Sequence, residues 1–120
     1  RTREAVLEAL RARRVYATNG ARIFLRTTLD DRYEMGSILP PHAADAPTVH
    51  TLDIRIAAPA PLDRIDIIRG SEVVARIDGE GETEWSARLE IPVLQPGEFV
   101  YVRVVQSNEG AAWSSPFFAD

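Results

Sequence analysis

The side chains able to do chemistry in this chain are few. His42 and His50 are its two histidines, and cysteine is absent, so thiolate ligation and a Cys nucleophile are excluded. Neither histidine has a second His or a Cys two to four residues away, the spacing by which one element presents two strong ligands to an ion. His42 lies in a proline-bounded loop and His50 at the start of a strand, and both read as structural. Ser114-Ser115 lacks a Gly-x-Ser-x-Gly elbow and a base at fixed spacing, so it does not read as a nucleophile. Asp30-Asp31 and Asp63/Asp66 could be acid–base pairs, but they occupy turn and exposed-strand positions and read as solvated surface. The glycines of "DGEGE", Asp78 to Glu82, sit among acids, whereas a phosphate cradle needs N–H groups leading into a helix; the segment reads as a hairpin loop. Phe99, Tyr101, Trp113, Phe117 and Phe118 could stack on sugars, yet aromatics on strands mostly pack.

The elements that must position these residues follow from periodicity. Thr2 is a suitable N-cap, and Val6, Leu7, Ala9 and Leu10 form an apolar face opposite Glu4, Glu8 and Arg11, which predicts an amphipathic helix over Thr2 to Arg14. After Asn19-Gly20, a pair tolerant of positive φ, the period becomes two. Ile23 and Leu25 share one face of Ala21 to Leu29, and Leu52, Ile54 and Ile56 one face of Thr48 to Ala58. Leu62 to Arg69 and Glu72 to Asp78 flank Gly70-Ser71, suited to a two-residue hairpin turn. Thr83 to Ile91 aligns Trp85, Ala87, Leu89 and Ile91; Phe99 to Gln106 aligns Val100, Val102 and Val104; Trp113 to Ala119 is the last strand. The stretch Pro40 to Pro47 predicts a loop. About seven strands without a second helix predict a mainly β domain, an immunoglobulin-like antiparallel β-sandwich preceded by one N-terminal α-helix.

A chain of 120 residues is one domain in size and buries roughly two-thirds of its unfolded surface. It carries 45% hydrophobic and 27% charged residues, and no apolar run approaches the ~20 residues of a membrane span. All 14 basic residues are Arg. Seven of them fall within residues 1 to 26 against Glu4 and Glu8, so that part carries +5 and the rest −9 of a net −4. An Arg-rich end could meet phosphate, but Arg in the last turn of a helix also complements its dipole, and no nucleic-acid module accompanies it. Neither a nucleic-acid nor a membrane partner is expected. The compartment is open, with the cytoplasm slightly favoured.

Two stretches carry a family resemblance. "TREAVLEALRARRVYATNGARIFL" (Thr2 to Leu25) and "YVRVVQSNEGAAWSSPFF" (Tyr101 to Phe118) together resemble the C-terminal region of PHP-superfamily proteins (polymerase and histidinol phosphatase), in the CehA/McbA-like branch of metal-dependent hydrolases. The hairpin "RGSEVV" adds to the likeness. The resemblance implies a parent whose α/β barrel holds divalent metal with His and Asp/Glu clusters and cleaves phosphoesters or carbamate and other esters. No His-x-His pair stands in this chain, so no catalytic, cofactor or metal residue is carried over.

The implied organisation has residues 1–20 as the terminal helix and turn of the upstream barrel and residues 21–120 as an accessory β-sandwich that packs on or shapes it. Val6, Leu7, Leu10, Arg14, Tyr16, Asn19 and Arg22 are the candidate interdomain contacts, and the helix stripe also offers a route to self-association. The competing reading is an independent immunoglobulin-like binding module for carbohydrate or a protein partner, which a solvent-exposed row of Trp85, Tyr101 or Trp113 would favour.

Overall fold

Alternating apolar residues become strands that turn one face to a shared core, and together with three two-residue strands they make eleven among the described residues. The computed structural model describes residues 17–18, 22–41 and 46–120; the helix expected over Thr2 to Arg14, the Asn19-Gly20 turn and His42 lie outside them. The strands are β1 (Ala17–Thr18), β2 (Phe24–Leu29), β3 (Tyr33–Glu34), β4 (Ile38–Leu39), β5 (Val49–Ala57), β6 (Leu62–Arg69), β7 (Glu72–Asp78), β8 (Glu84–Pro92), β9 (Phe99–Gln106), β10 (Ala111–Trp113) and β11 (Phe117–Ala119). The protein is mainly β, built of antiparallel and mixed sheets.

One sheet has the order β3-β2-β5-β8. In the other, β6 lies between β7 and β9, and the far side of β9 is shared end to end by β10 and β11. β10 then pairs with β1, and β11 with β4, the last being the one parallel pair among the described strands. Leu25, Leu52 and Ile54 of the first sheet and Ile65, Val102, Val104 and Phe117 of the second belong to one buried cluster. The predicted inward residues of β2, β5 and β9 are therefore the core. Gly70 has φ +65 and Arg69 pairs with Glu72, so the expected two-residue turn forms with glycine at its first central position.

Two expectations change. The last strand is broken in two, because Pro116 lacks an N–H to continue a ladder and Ser114 turns its hydroxyl onto the backbone, accepting from the Val102 N–H at 2.9 Å. The short strands β1, β3 and β4 carry no two-residue periodicity long enough to detect. Asp78 to Glu82 is also not a hairpin loop: β7 pairs with β6 and β8 with β5, so this segment carries the chain from one sheet to the other. It wraps Leu62, whose carbonyl accepts from Gly81 N–H at 3.1 Å and whose N–H donates to Glu82 O at 2.8 Å. A Cβ on Gly79 would stand 2.6 Å from Leu62 Cβ and 2.7 Å from its carbonyl carbon; the glycine is required by close approach.

β1 falls within the 1–20 unit drawn from the resemblance, and its backbone pairs with β10, with Ala17 opposite Trp113. The backbone of β1 is thus part of the second sheet.

Candidate functional site

The outer faces of the two sheets differ in chemistry. On the second sheet, outward residues of β9 and their cross-strand neighbours form rows: Val73–Ile68–Tyr101, Arg76–Asp66–Arg103–Trp113 and Phe99–Phe118–Ile38. Ile68 is only 3% exposed although it stands outside the shared core. Phe99, Tyr101, Trp113 and Phe118 are half-buried, and the Phe99 and Tyr101 rings stack with centroids 6.4 Å apart.

Asp66 corrects the sequence reading of this face. It was expected as solvated surface, yet its side chain is fully buried under three guanidinium groups. Arg103 donates from Nη2 at 2.7 Å and Nε at 3.0 Å, Arg76 from Nε at 2.9 Å and Arg64 from Nε at 3.2 Å. The arginines come from β6, β7 and β9, so register alone assembles the cluster. Burial pushes the Asp66 carboxyl upward, but the hydrogen bonds from Arg76, Arg103 and Arg64 more than offset it and hold the group below the ordinary carboxylate range.

The first sheet's outer face is charged and hollow. Asp30 and Asp31, joining β2 to β3, both adopt left-handed φ, +56 and +57, which Asp tolerates better than most residues. What holds them is visible. Asp30 accepts from Thr51 N–H at 2.9 Å and meets His50 Nδ1 at 2.8 Å, so this carboxylate too is structural and not solvated surface. Asp31 is thereby presented to Arg88 of β8, which grips it through both guanidinium nitrogens at 2.9 Å and also reaches Asp53 at 3.0 Å. The bidentate pair draws the Asp31 carboxyl below, and the Arg88 guanidinium above, its ordinary value. Arg26 donates to Glu34 at 3.1 Å.

Two adjoining hollows share Asp53, Arg55 and Arg88. One, of about 600 Å³, is lined by Phe24, Arg55, Ala57, Glu84, Ser86 and others; the other, about 240 Å³, by Arg26, Thr28, Asp31, Glu34 and the shared three. Phe24 is 50% exposed. The sequence reading passed it over, although its place on the outward parity of β2, opposite the inward Ile23 and Leu25, was the signal available.

The remaining candidates are dispersed. His50 is buried, its Nε2 has no partner among the described residues, and Asp53, three residues on, lies on the opposite face of β5 as odd spacing requires. Ser114 is committed to Val102, and Ser115 is buried. No group of three His, Asp or Glu is placed to hold a metal among the described residues, and no helix there is long and apolar enough to cross a membrane. Trp85 lies on the inner row of β8, whereas Tyr101 and Trp113 belong to the other sheet's outer face, so the three make no exposed row. Of the interdomain candidates, Arg22 is exposed, and Val6, Leu7, Leu10, Arg14, Tyr16 and Asn19 lie outside the described residues.

Comparison with known proteins returns relatives without assigned activity. No family model matches, and no solved structure matches. Uncharacterized proteins of Chlamydia pneumoniae, Chlamydia trachomatis serovar D and Chlamydia muridarum are 33%, 30% and 30% identical over 131 aligned residues. Each alignment covers 99% of this chain and 21% of the relative; the chain spans about a fifth of the length of the relatives it matches.

Proposed function

We propose that this chain is a non-catalytic, immunoglobulin-like accessory domain of a longer metal-dependent hydrolase of PHP type, and that it docks on the rest of that polypeptide through the outer face of the β7-β6-β9 sheet. The observation that carries the docking is the row Arg76–Asp66–Arg103–Trp113, which ends beside β1. β1 itself pairs beside Trp113, in the sheet whose outer face also carries Tyr101 and Phe99. Half-buried aromatics with an arginine cluster are the composition of interface cores, not of a solvated sheet face.

The immunoglobulin-like reading draws support from the path of the chain. It runs from β5 in the first sheet to the β6–β7 hairpin in the second, back to β8, and across again to β9 and β10, a Greek-key alternation. The parent's class rests on the sequence resemblance, and the relatives' five-fold greater length is compatible with an upstream catalytic part. Divalent metal and ester substrates belong to that part.

The test uses the full-length protein. It should contain stoichiometric divalent metal and hydrolyse bis(4-nitrophenyl) phosphate or a carbamate ester, while residues 1–120 alone do neither. Hydrogen exchange should show Tyr101 and Trp113 protected in the full-length protein and released in the isolated chain, and the pair Tyr101→Glu and Trp113→Glu should abolish that protection. A metal-free upstream part overturns the hydrolase class. Equal exchange in both forms overturns the docking.

A further inference from the structure

The paired hollows on the outer face of the β3-β2-β5-β8 sheet have no part in the docking proposed above, since they lie on the opposite side of the sandwich. Each hollow is charge-balanced by itself: in the smaller, three arginines, 26, 55 and 88, face three carboxylates, 31, 34 and 53, and in the larger Arg55 and Arg88 face Asp53 and Glu84. The pairs are made within the site, Arg88 with Asp31 and Asp53, Arg26 with Glu34, and Arg55 with Asp53 at 3.7 Å. An anionic ligand would have to break one of these pairs and strand its partner. A neutral polyol need not, because hydroxyl groups can accept from guanidinium N–H groups left over and donate to the spare lone pairs of the carboxylates.

Shape and backbone point the same way. Ala57 and Ser86 are small and give the larger hollow a low floor between Phe24, a residue 50% exposed, and Arg88. An aromatic face beside fixed polar groups suits the two sides of a sugar ring, apolar C–H below and hydroxyls at the rim. The two hollows adjoin through Asp53, Arg55 and Arg88 and lie open along the sheet, which fits successive rings of a chain better than one enclosed small molecule. The polar half is also preorganised at a backbone cost: two successive left-handed aspartates aim Asp31 at Arg88, anchored by His50 and Thr51 on Asp30.

We propose that this outer sheet face, from Phe24 and Ser86 to Arg88, Asp31 and Glu34, is a binding site for a neutral oligosaccharide chain.

The experiment is a titration of the isotope-labelled 120-residue chain with cellohexaose, xylohexaose, maltohexaose and chitohexaose, followed by amide chemical shifts. At least one should bind saturably below about 10 mM, a weak affinity typical of open sites, with shifts confined to Phe24, Ala57, Ser86, Arg88 and their strand neighbours. Phe24→Ala and, separately, Ser86→Trp, which fills the floor, should each weaken that binding about tenfold or more, while the urea midpoint stays near that of the parent chain. Saturable binding that both variants leave intact overturns the site, as does the absence of binding across all four sugars. Tighter binding of a sulfated oligosaccharide than of its neutral counterpart overturns the charge-balance argument, and with it the ligand class.

Discussion

Arg69 on β6 reaches Glu98 at 2.7 Å while the same guanidinium donates to the carbonyls of Pro92 and Val93, each at 2.7 Å. One side chain of the second sheet thus closes the chain end of β8 in the first, and Glu98 in turn accepts from the Gln95 N–H at 2.6 Å. Removing it as Arg69→Ala should cost about 2 kcal/mol, since several charge-assisted hydrogen bonds are lost where water partly replaces them. Arg69→Lys should recover only part of that, because an ammonium cannot span three acceptors in one plane. Urea unfolding of the three proteins measures both values.

Asp66 should be less replaceable than any other carboxylate of the chain. Asp66→Ala leaves Arg64, Arg76 and Arg103 facing one another with only the exposed Asp63 near Arg64, at 3.4 Å, and breaking a buried pair in this way costs about 3 kcal/mol or more. Arg76→Ala should cost under about 1 kcal/mol, because the side chain of Arg76 is 58% exposed and the other two arginines remain. A double-mutant cycle gives the coupling directly.

Stability should fall on the acid side. The carboxyls of Asp66 and Glu98 are held below their ordinary values, Glu98 by the hydrogen bonds from Arg69 and the Gln95 N–H. A depressed folded-state value means that the stabilisation is complete above the unfolded-state value and is lost as pH drops through the folded one. Urea midpoints should therefore be level through neutral pH and decline below about pH 4. In Asp66→Asn the acid decline should be shallower; an unchanged slope would falsify the assignment.

Gly79→Ala should destabilise by about 1–3 kcal/mol, because the new methyl meets the Cβ and the backbone carbonyl of Leu62, atoms fixed by the main chain, and not the far end of a flexible side chain. Gly81→Ala faces open space and bears only the strain of φ +73, about 1 kcal/mol. The order of the two thermal midpoints tests the close approach.

Deleting residues 1–14 should leave a cooperatively folded β-domain, since β1 and the whole described core lie beyond the cut. Val102→Asp should unfold it, because Val102 is 0% exposed and an unpaired buried charge costs more than a small domain can spare. A truncated chain as unfolded as Val102→Asp would make the leading segment integral to the sandwich.

Which strands form, and which of their faces turn inward, is local information. Leu52, Ile54 and Ile56 alternate with Thr51, Asp53 and Arg55, and a strand has only two faces, so burying the first set fixes the direction of the second. The Gly70-Ser71 turn is equally local, for it needs only one residue at positive φ. Partnership between strands is not local. Nothing in Asp78 to Glu82 says that β7 and β8 lie in different sheets, and that crossing turned the expected hairpin into a wrap around Leu62. The same holds for both clusters. Asp66 meets Arg103 from 37 residues away and Asp31 meets Arg88 from 57, distances set by register between strands that only the folded chain brings side by side. Sequence determined that these carboxylates stand on outward positions; tertiary pairing decided that one is buried beneath arginines and that another shapes a hollow, because burial of a charge depends on what its cross-strand neighbours supply.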